Sequence, residues 1–92
     1  MSSTADQLFA RARALAEACA DAAIDSGAYD QPGVDPAELP AATWFEQSEP
    51  ILKVEVAALP PSQRAELPGD ELWELLANEW FEAWEERIAR RR

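Results

Sequence analysis

Residues 71–90 read ELWELLANEWFEAWEERIAR, and their apolar side chains recur at the spacing of an α-helix. Glutamates early in the stretch and arginines late in it suit the two ends of a helix dipole. The largest apolar side chains fall three or four residues apart on one side: Trp73, Leu76, Trp80, Trp84 and Ile88. The pattern predicts an amphipathic helix over about 71–90 whose aromatic side faces a core.

A second long helix is predicted near the N-terminus, over about 5–25. Thr4 and Gln7 have the spacing of a capping box, and Gly27 suits a left-handed cap after the last turn. The apolar stripe of this segment is mostly alanine, which lets a neighbouring helix approach closely. Its members are Leu8, Ala12, Leu15, Cys19 and Ala22, widened by Phe9, Ala16, Ala20 and Ala23.

Shorter elements are expected between the two long helices. Residues 28–40 lose the helical spacing, which predicts a loop with one helical turn in its second half. Thr43 opens a possible second capping box with Glu46, which predicts a short helix that Pro50 interrupts or restarts. Residues 51–58 fit either a strand or a helix, and we favour the helix because no second strand pattern is present to pair with. One further helical turn is expected over 62–67.

These expectations give an all-α fold in a single domain spanning 1–92. It has two long helices, about 5–25 and 71–90, with two or three short helices between them. A chain of 92 residues that is 48% hydrophobic can fold, but it has room for one modest core. No apolar run approaches ~18 residues, and no secretory signal pattern opens the chain. We therefore expect a cytoplasmic protein that does not bind membranes.

The charge is strongly acidic and unevenly distributed. Eighteen acidic residues against eight basic ones give a net charge of −10, which argues against direct binding to nucleic acid or to an anionic membrane. Residues 14–86 hold seventeen of the acids but only two bases, Lys53 and Arg64. The expected partner is therefore a larger protein with a basic surface.

Glutamates fill the side of the C-terminal helix away from the tryptophans. Like-charge neighbours such as Glu82 and Glu85 each cost a few tenths of a kcal/mol, roughly, so stability alone does not explain the pattern. Solubility, a saline habitat and imitation of a nucleic-acid backbone all remain as explanations. We predict partner contacts for all six: Glu71, Glu74, Glu79, Glu82, Glu85 and Glu86.

Two aromatic residues, Trp44 and Phe45, are also predicted to contact a partner. They follow a proline-bounded loop outside the long helices, and tryptophan is enriched at the energetic centres of interfaces. In the other interpretation, the aromatic side chains of this chain serve mainly to fill its core.

The residue types needed for common catalytic chemistry are missing from the sequence. It has no histidine, no glycine-rich phosphate loop and no metal-binding set of cysteines and histidines, and Cys19 is alone. The acidic residues of the loop lack the ligand spacing of a calcium-binding loop. We therefore expect no enzymatic activity, no cofactor and no metal.

In size and charge the chain resembles the small acidic inhibitors carried by phages and mobile elements, including anti-CRISPR and DNA-mimic proteins. The resemblance covers composition, and it implies a non-enzymatic inhibitor or adaptor that docks on a basic surface of a larger partner, such as a nucleic-acid-binding surface. The alternative is a structural or assembly subunit that forms a homodimer or a permanent complex through a Trp-rich surface.

Overall fold

A computed structural model describes residues 3–26 and 41–91, which form four helices. These are α1 (Thr4–Asp25), α2 (Ala41–Ala57), α3 (Pro61–Arg64) and α4 (Glu71–Arg91). The described ranges contain no strand. The predicted all-α fold with two long helices and shorter ones between them is confirmed. None of the described helices is both long enough and apolar enough to cross a membrane.

The capping box of α1 lies one residue earlier than predicted. The Ser3 hydroxyl accepts a hydrogen bond from the Asp6 backbone N–H at 3.1 Å, and the Asp6 carboxylate accepts one from the Ser3 N–H at 3.3 Å. The predicted box between Thr4 and Gln7 is wrong, because the Thr4 side chain is buried and its hydroxyl donates to Glu66 at 3.0 Å. That bond ties the start of α1 to the segment before α4.

At its other end α1 is capped by Ser26. The Ser26 hydroxyl donates to the backbone oxygen of Ala23 at 2.7 Å, so it satisfies a carbonyl in the last turn. The cap predicted at Gly27 lies outside the described residues. So do the loop and helical turn predicted for 28–40.

Helix α2 passes through Pro50 without a break. The predicted interruption at Pro50 is therefore wrong, and Thr43 lies inside the helix rather than at its cap. Residues 51–57 are helical, which excludes the strand alternative for them. Pro50 is exposed, so its ring lies on the solvent side of α2, away from the core.

Contacts between side chains show the directions of the three longer helices. Arg13 of α1 contacts Glu79 of α4, and Asp21 further along α1 contacts Arg87 further along α4, so these two helices are parallel. Helix α2 is antiparallel to both, because its contacts run in the opposite order. They are Arg11–Glu55 and Cys19–Ser48 with α1, and Phe45–Phe81 and Lys53–Trp73 with α4.

The core lies mainly between α1 and α4. Small alanine side chains on α1 face large ones on α4, so the two helices can pack closely. The buried apolar residues of α1 are Leu8, Ala12, Ala16, Ala20 and Ala23, and those of α4 are Leu72, Leu76, Trp80, Ala83, Trp84 and Ile88. The predicted α1 stripe is thus rotated: Leu15 and Cys19 are half-buried, and Ala22 is exposed.

Candidate functional surface

The six predicted glutamates of α4 do not form one uniform row. Five of them are exposed, whereas Glu79 is half-buried at the boundary with α1. Arg13 of α1 donates from one guanidinium nitrogen to Glu79 at 3.0 Å and from the other to Glu86 at 2.6 Å. These bonds, with that to Glu79 the largest cause, raise the pKa of Arg13. Glu79 and Glu86 therefore share one compensating positive charge within the fold.

The other four glutamates point away from the core. We call Glu71, Glu74, Glu82 and Glu85 the outer acidic face. All four are exposed, and no base among the described residues forms an ion pair with any of them. At 3.6 residues per turn they fall within an arc of roughly 80°, and from first to last they span about 21 Å along the helix axis. The outward orientation predicted from the sequence is confirmed.

Two arginines of α4 pair with acidic residues of α1 and not with the outer acidic face. Arg87 makes two hydrogen bonds of 2.9 Å to the Asp21 carboxylate, and Arg91 contacts both Asp21 at 3.2 Å and Asp25 at 3.0 Å. The hydrogen bond from Arg87 is the main reason that the pKa of Asp21 lies below its ordinary value. Because α1 and α4 are parallel, their C-terminal ends meet, and the arginines of one serve the acids and the helix dipole of the other.

Most of the described basic residues thus form ion pairs with acidic residues of the same bundle. Arg11 pairs with Glu55 at 2.7 Å, and Lys53 pairs with Glu49 at 2.7 Å. Arg13, Arg87 and Arg91 form the pairs described above. The ion pairs of the described residues therefore join two helices, except for Lys53–Glu49, which lies within α2. This placement leaves the outer acidic face without a compensating cation.

Trp44 and Phe45 are half-buried and pack against the core aromatics of α4. The Trp44 ring centroid lies 6.5 Å from that of Trp84, and the Phe45 ring lies 5.3 Å from Trp80 and 5.2 Å from Phe81. Both residues therefore fasten α2 to α4. Contact of the two residues with a partner stays a prediction, limited to the edges that remain accessible.

Three large apolar side chains outside the predicted contact residues are exposed to solvent. Ile51 and Val54 on α2 are 43% and 68% exposed, and Leu75 on α4 is 39% exposed. The helical phase of α2 explains the first two, because at about 100° per residue Ile51 lies roughly 80° and Val54 roughly 140° from the side that buries Ser48 and Leu52. A sequence signal existed in the four aliphatic residues of 51–56, but their spacing supported both a strand and a helix.

A groove of about 290 Å³ lies between α2 and α4. Its lining combines aromatic, aliphatic and charged side chains: Phe45, Glu49, Lys53, Trp73 and Ala77. The Lys53 ammonium lies 5.9 Å from the centroid of the Trp73 ring, and it is also the group paired with Glu49. A cation therefore already occupies the aromatic wall of this groove.

Ser48 and Cys19, the remaining polar groups near the core, have structural contacts. Trp80 donates its indole N–H to the buried Ser48 hydroxyl at 3.1 Å, and the Cys19 thiol lies 3.4 Å from the same oxygen. Across residues 3–26 and 41–91, no three acidic or cysteine side chains are grouped to hold a metal ion.

Comparison with known proteins gives no relative. No family model, no curated protein and no solved structure matches this chain.

Proposed function

We propose that this chain is a non-enzymatic protein-binding module of the cytoplasm, an inhibitor or adaptor that docks its outer acidic face on a basic surface of a larger partner. One observation supports this most: the chain pairs its arginines between helices and leaves the exposed glutamates of α4 uncompensated. The arrangement costs stability, because neighbours such as Glu82 and Glu85 repel one another. In this proposal the exposed carboxylates are kept, despite that loss of stability, because they bind the partner.

The carboxylates of the outer acidic face are spaced more widely than the phosphates of a nucleic-acid strand. Four charges over about 21 Å give one per roughly 7 Å, whereas each strand of duplex DNA carries one per about 3.4 Å. The outer acidic face can therefore engage several lysines or arginines of a nucleic-acid-binding surface without matching the full charge density of a duplex. At this density the chain would occupy part of such a surface as an inhibitor, as the resemblance to phage-encoded anti-CRISPR and DNA-mimic proteins implies.

A matched pair of double variants tests the proposal on a partner captured from lysate at low salt. E82Q/E85Q and E79Q/E86Q each remove two charges from α4, but only the first removes them from the outer acidic face. We expect E82Q/E85Q to weaken the partner at least fivefold, about 1 kcal/mol, and to leave the free energy of unfolding unchanged or slightly higher. E79Q/E86Q should bind nearly as the parent does, and should unfold more easily because Arg13 loses both partners.

Salt provides the second measurement of the same complex. Binding through exposed charges should weaken steeply between about 0.05 and 0.5 M salt, because screening shortens the reach of each carboxylate. Equal losses in the two double variants would show that only net charge matters. Unchanged binding in E82Q/E85Q would exclude the outer acidic face as the docking surface.

The second candidate is a structural or assembly subunit that forms a homodimer. Ile51 and Val54 favour it, because they expose two β-branched side chains one turn apart on α2. The tryptophans contribute less surface than expected, since Trp80 and Trp84 are buried. Light scattering across a range of protein concentrations would test it: a dimer that survives high salt and dissociates in I51S/V54S supports this candidate.

A further inference from the structure

The groove between α2 and α4 extends the binding surface beyond the outer acidic face. This step rests on the proposed docking to a basic partner. We infer that the groove binds an arginine side chain of that partner, and that Lys53 holds the arginine's place in the free protein.

The size and lining of the groove suit a single side chain. Its volume of about 290 Å³ lies just below the roughly 300–1,000 Å³ range of small-molecule sites. Phe45 and Trp73 form aromatic walls, and Glu49 places a carboxylate beside them. An apolar stem ending in a planar cation complements this combination.

Lys53 shows which chemistry the groove accepts. Its ammonium lies over the Trp73 ring at 5.9 Å and within 2.7 Å of Glu49, so the site already holds a cation between an aromatic face and a carboxylate. The Lys53 side chain is 56% exposed, and both of its contacts are therefore weakened by solvent. A partner cation that makes the same contacts better can displace it.

Arginine is the better occupant for a geometric reason. A guanidinium can stack flat on Trp73 while it donates two parallel hydrogen bonds to the Glu49 carboxylate, whereas an ammonium acts as a point charge. Lysine is thus the weaker competitor at this site. Displacement also frees the Lys53 ammonium to move into solvent.

The charge around the groove is complementary to a basic partner. On the α4 helical wheel Glu74 and Glu85 lie within roughly 40° of Phe81, which packs on Phe45 of α2. These two glutamates therefore belong to the half of the outer acidic face that is turned toward α2. One basic surface can place an arginine in the groove while its neighbouring cations meet Glu74 and Glu85.

Titration with two capped peptides, hexa-arginine and hexa-lysine, tests the inference on the whole chain. Binding is followed through the indole N–H signal of Trp73 in a ¹H–¹⁵N spectrum, identified with the variant W73F. We expect hexa-arginine to shift this signal and to bind at least threefold more tightly than hexa-lysine. K53A should tighten hexa-arginine binding at least threefold, because the internal competitor is gone.

R64A is the control for charge, since it removes one positive charge from α3, outside the groove. Its effect on hexa-arginine binding should be clearly smaller than that of K53A. Dispersed spectra and unchanged helical circular dichroism would show that both variants fold. Equal effects of the two variants, equal affinity for the two peptides, or binding without a shift of the Trp73 signal would each overturn the inference. Those results would leave the outer acidic face untouched, because E82Q/E85Q tests it separately.

Discussion

Replacing Ser48 with alanine tests whether one hydroxyl stabilises the packing of α2 on α4. Ser48 is buried, Trp80 is 0% exposed, and the indole N–H donates to the Ser48 hydroxyl at 3.1 Å. Without that hydroxyl the indole keeps its donor but has neither its protein acceptor nor access to bulk water. A buried donor left unpaired costs about 1–3 kcal/mol, so S48A should lower the free energy of unfolding by that amount. For a domain of this size the melting temperature should fall by roughly 4–24 °C.

Urea unfolding followed by far-ultraviolet circular dichroism measures this effect, and S62A is its control. Ser62 is exposed on α3, so S62A should stay within about 0.5 kcal/mol of the parent. In a W80F background the donor is absent, and the additional cost of S48A should fall below about 0.5 kcal/mol. Equal stabilities for S48A and S62A would refute the argument that the buried hydrogen bond matters.

Two further predictions concern the ion pairs and the proline. Arg87 hydrogen-bonds to Asp21 and thereby lowers the pKa of this carboxyl group. The charged form of Asp21 therefore stabilises the fold at any pH above the pKa that Asp21 has in the unfolded chain. This contribution disappears as the pH falls through the lower pKa of the folded state. D21N should therefore melt below the parent at pH 7 and match it at the acid end of a pH series; a constant difference would contradict this. P50A should raise the free energy of unfolding by about 2 kcal/mol, since a proline inside a helix costs ~3 kcal/mol and its entropic benefit in the unfolded chain returns at most ~1. Urea midpoints that do not rise in P50A would show that the chain around Pro50 is fully adapted to it.

The C-terminal helix could be predicted in detail because its two sides differ so clearly in composition. Tryptophan and leucine on one side and glutamate on the other leave a single phase that buries the apolar residues. The same composition predicted the outward direction of Glu74, Glu82 and Glu85, and the structure confirms it. Helix α1 offered no such contrast, because alanines lie on every side of it. The phase of α1 was therefore decided by the large side chains of α4, which the spacing within α1 does not encode.

The ion pairs between helices could not be predicted from the spacing within each helix. Arg13 and Glu79 are 66 residues apart, and they meet only because α1 and α4 are parallel. A hint existed in the acids Asp21 and Asp25, which stand at the end of α1 where the dipole favours cations. Burial of Ser48 was equally hidden, because serine in a helix usually faces solvent. Each of these features depends on a partner that is distant in sequence.

The residue at position 78, between two of the outer glutamates, is relevant to the proposed binding role of the acidic surface. Asn78 is exposed, four residues after Glu74 and four before Glu82. A lysine there would face both carboxylates and add roughly 0.2–0.5 kcal/mol for each pair, while a net charge of about −9 would still keep the chain soluble. Selection for stability alone thus favours a cation at position 78, and solubility does not oppose one. A basic partner disfavours one, because that cation would meet its lysines and arginines at close range. The uncharged side chain at this site is the choice expected of a face that binds positive charge.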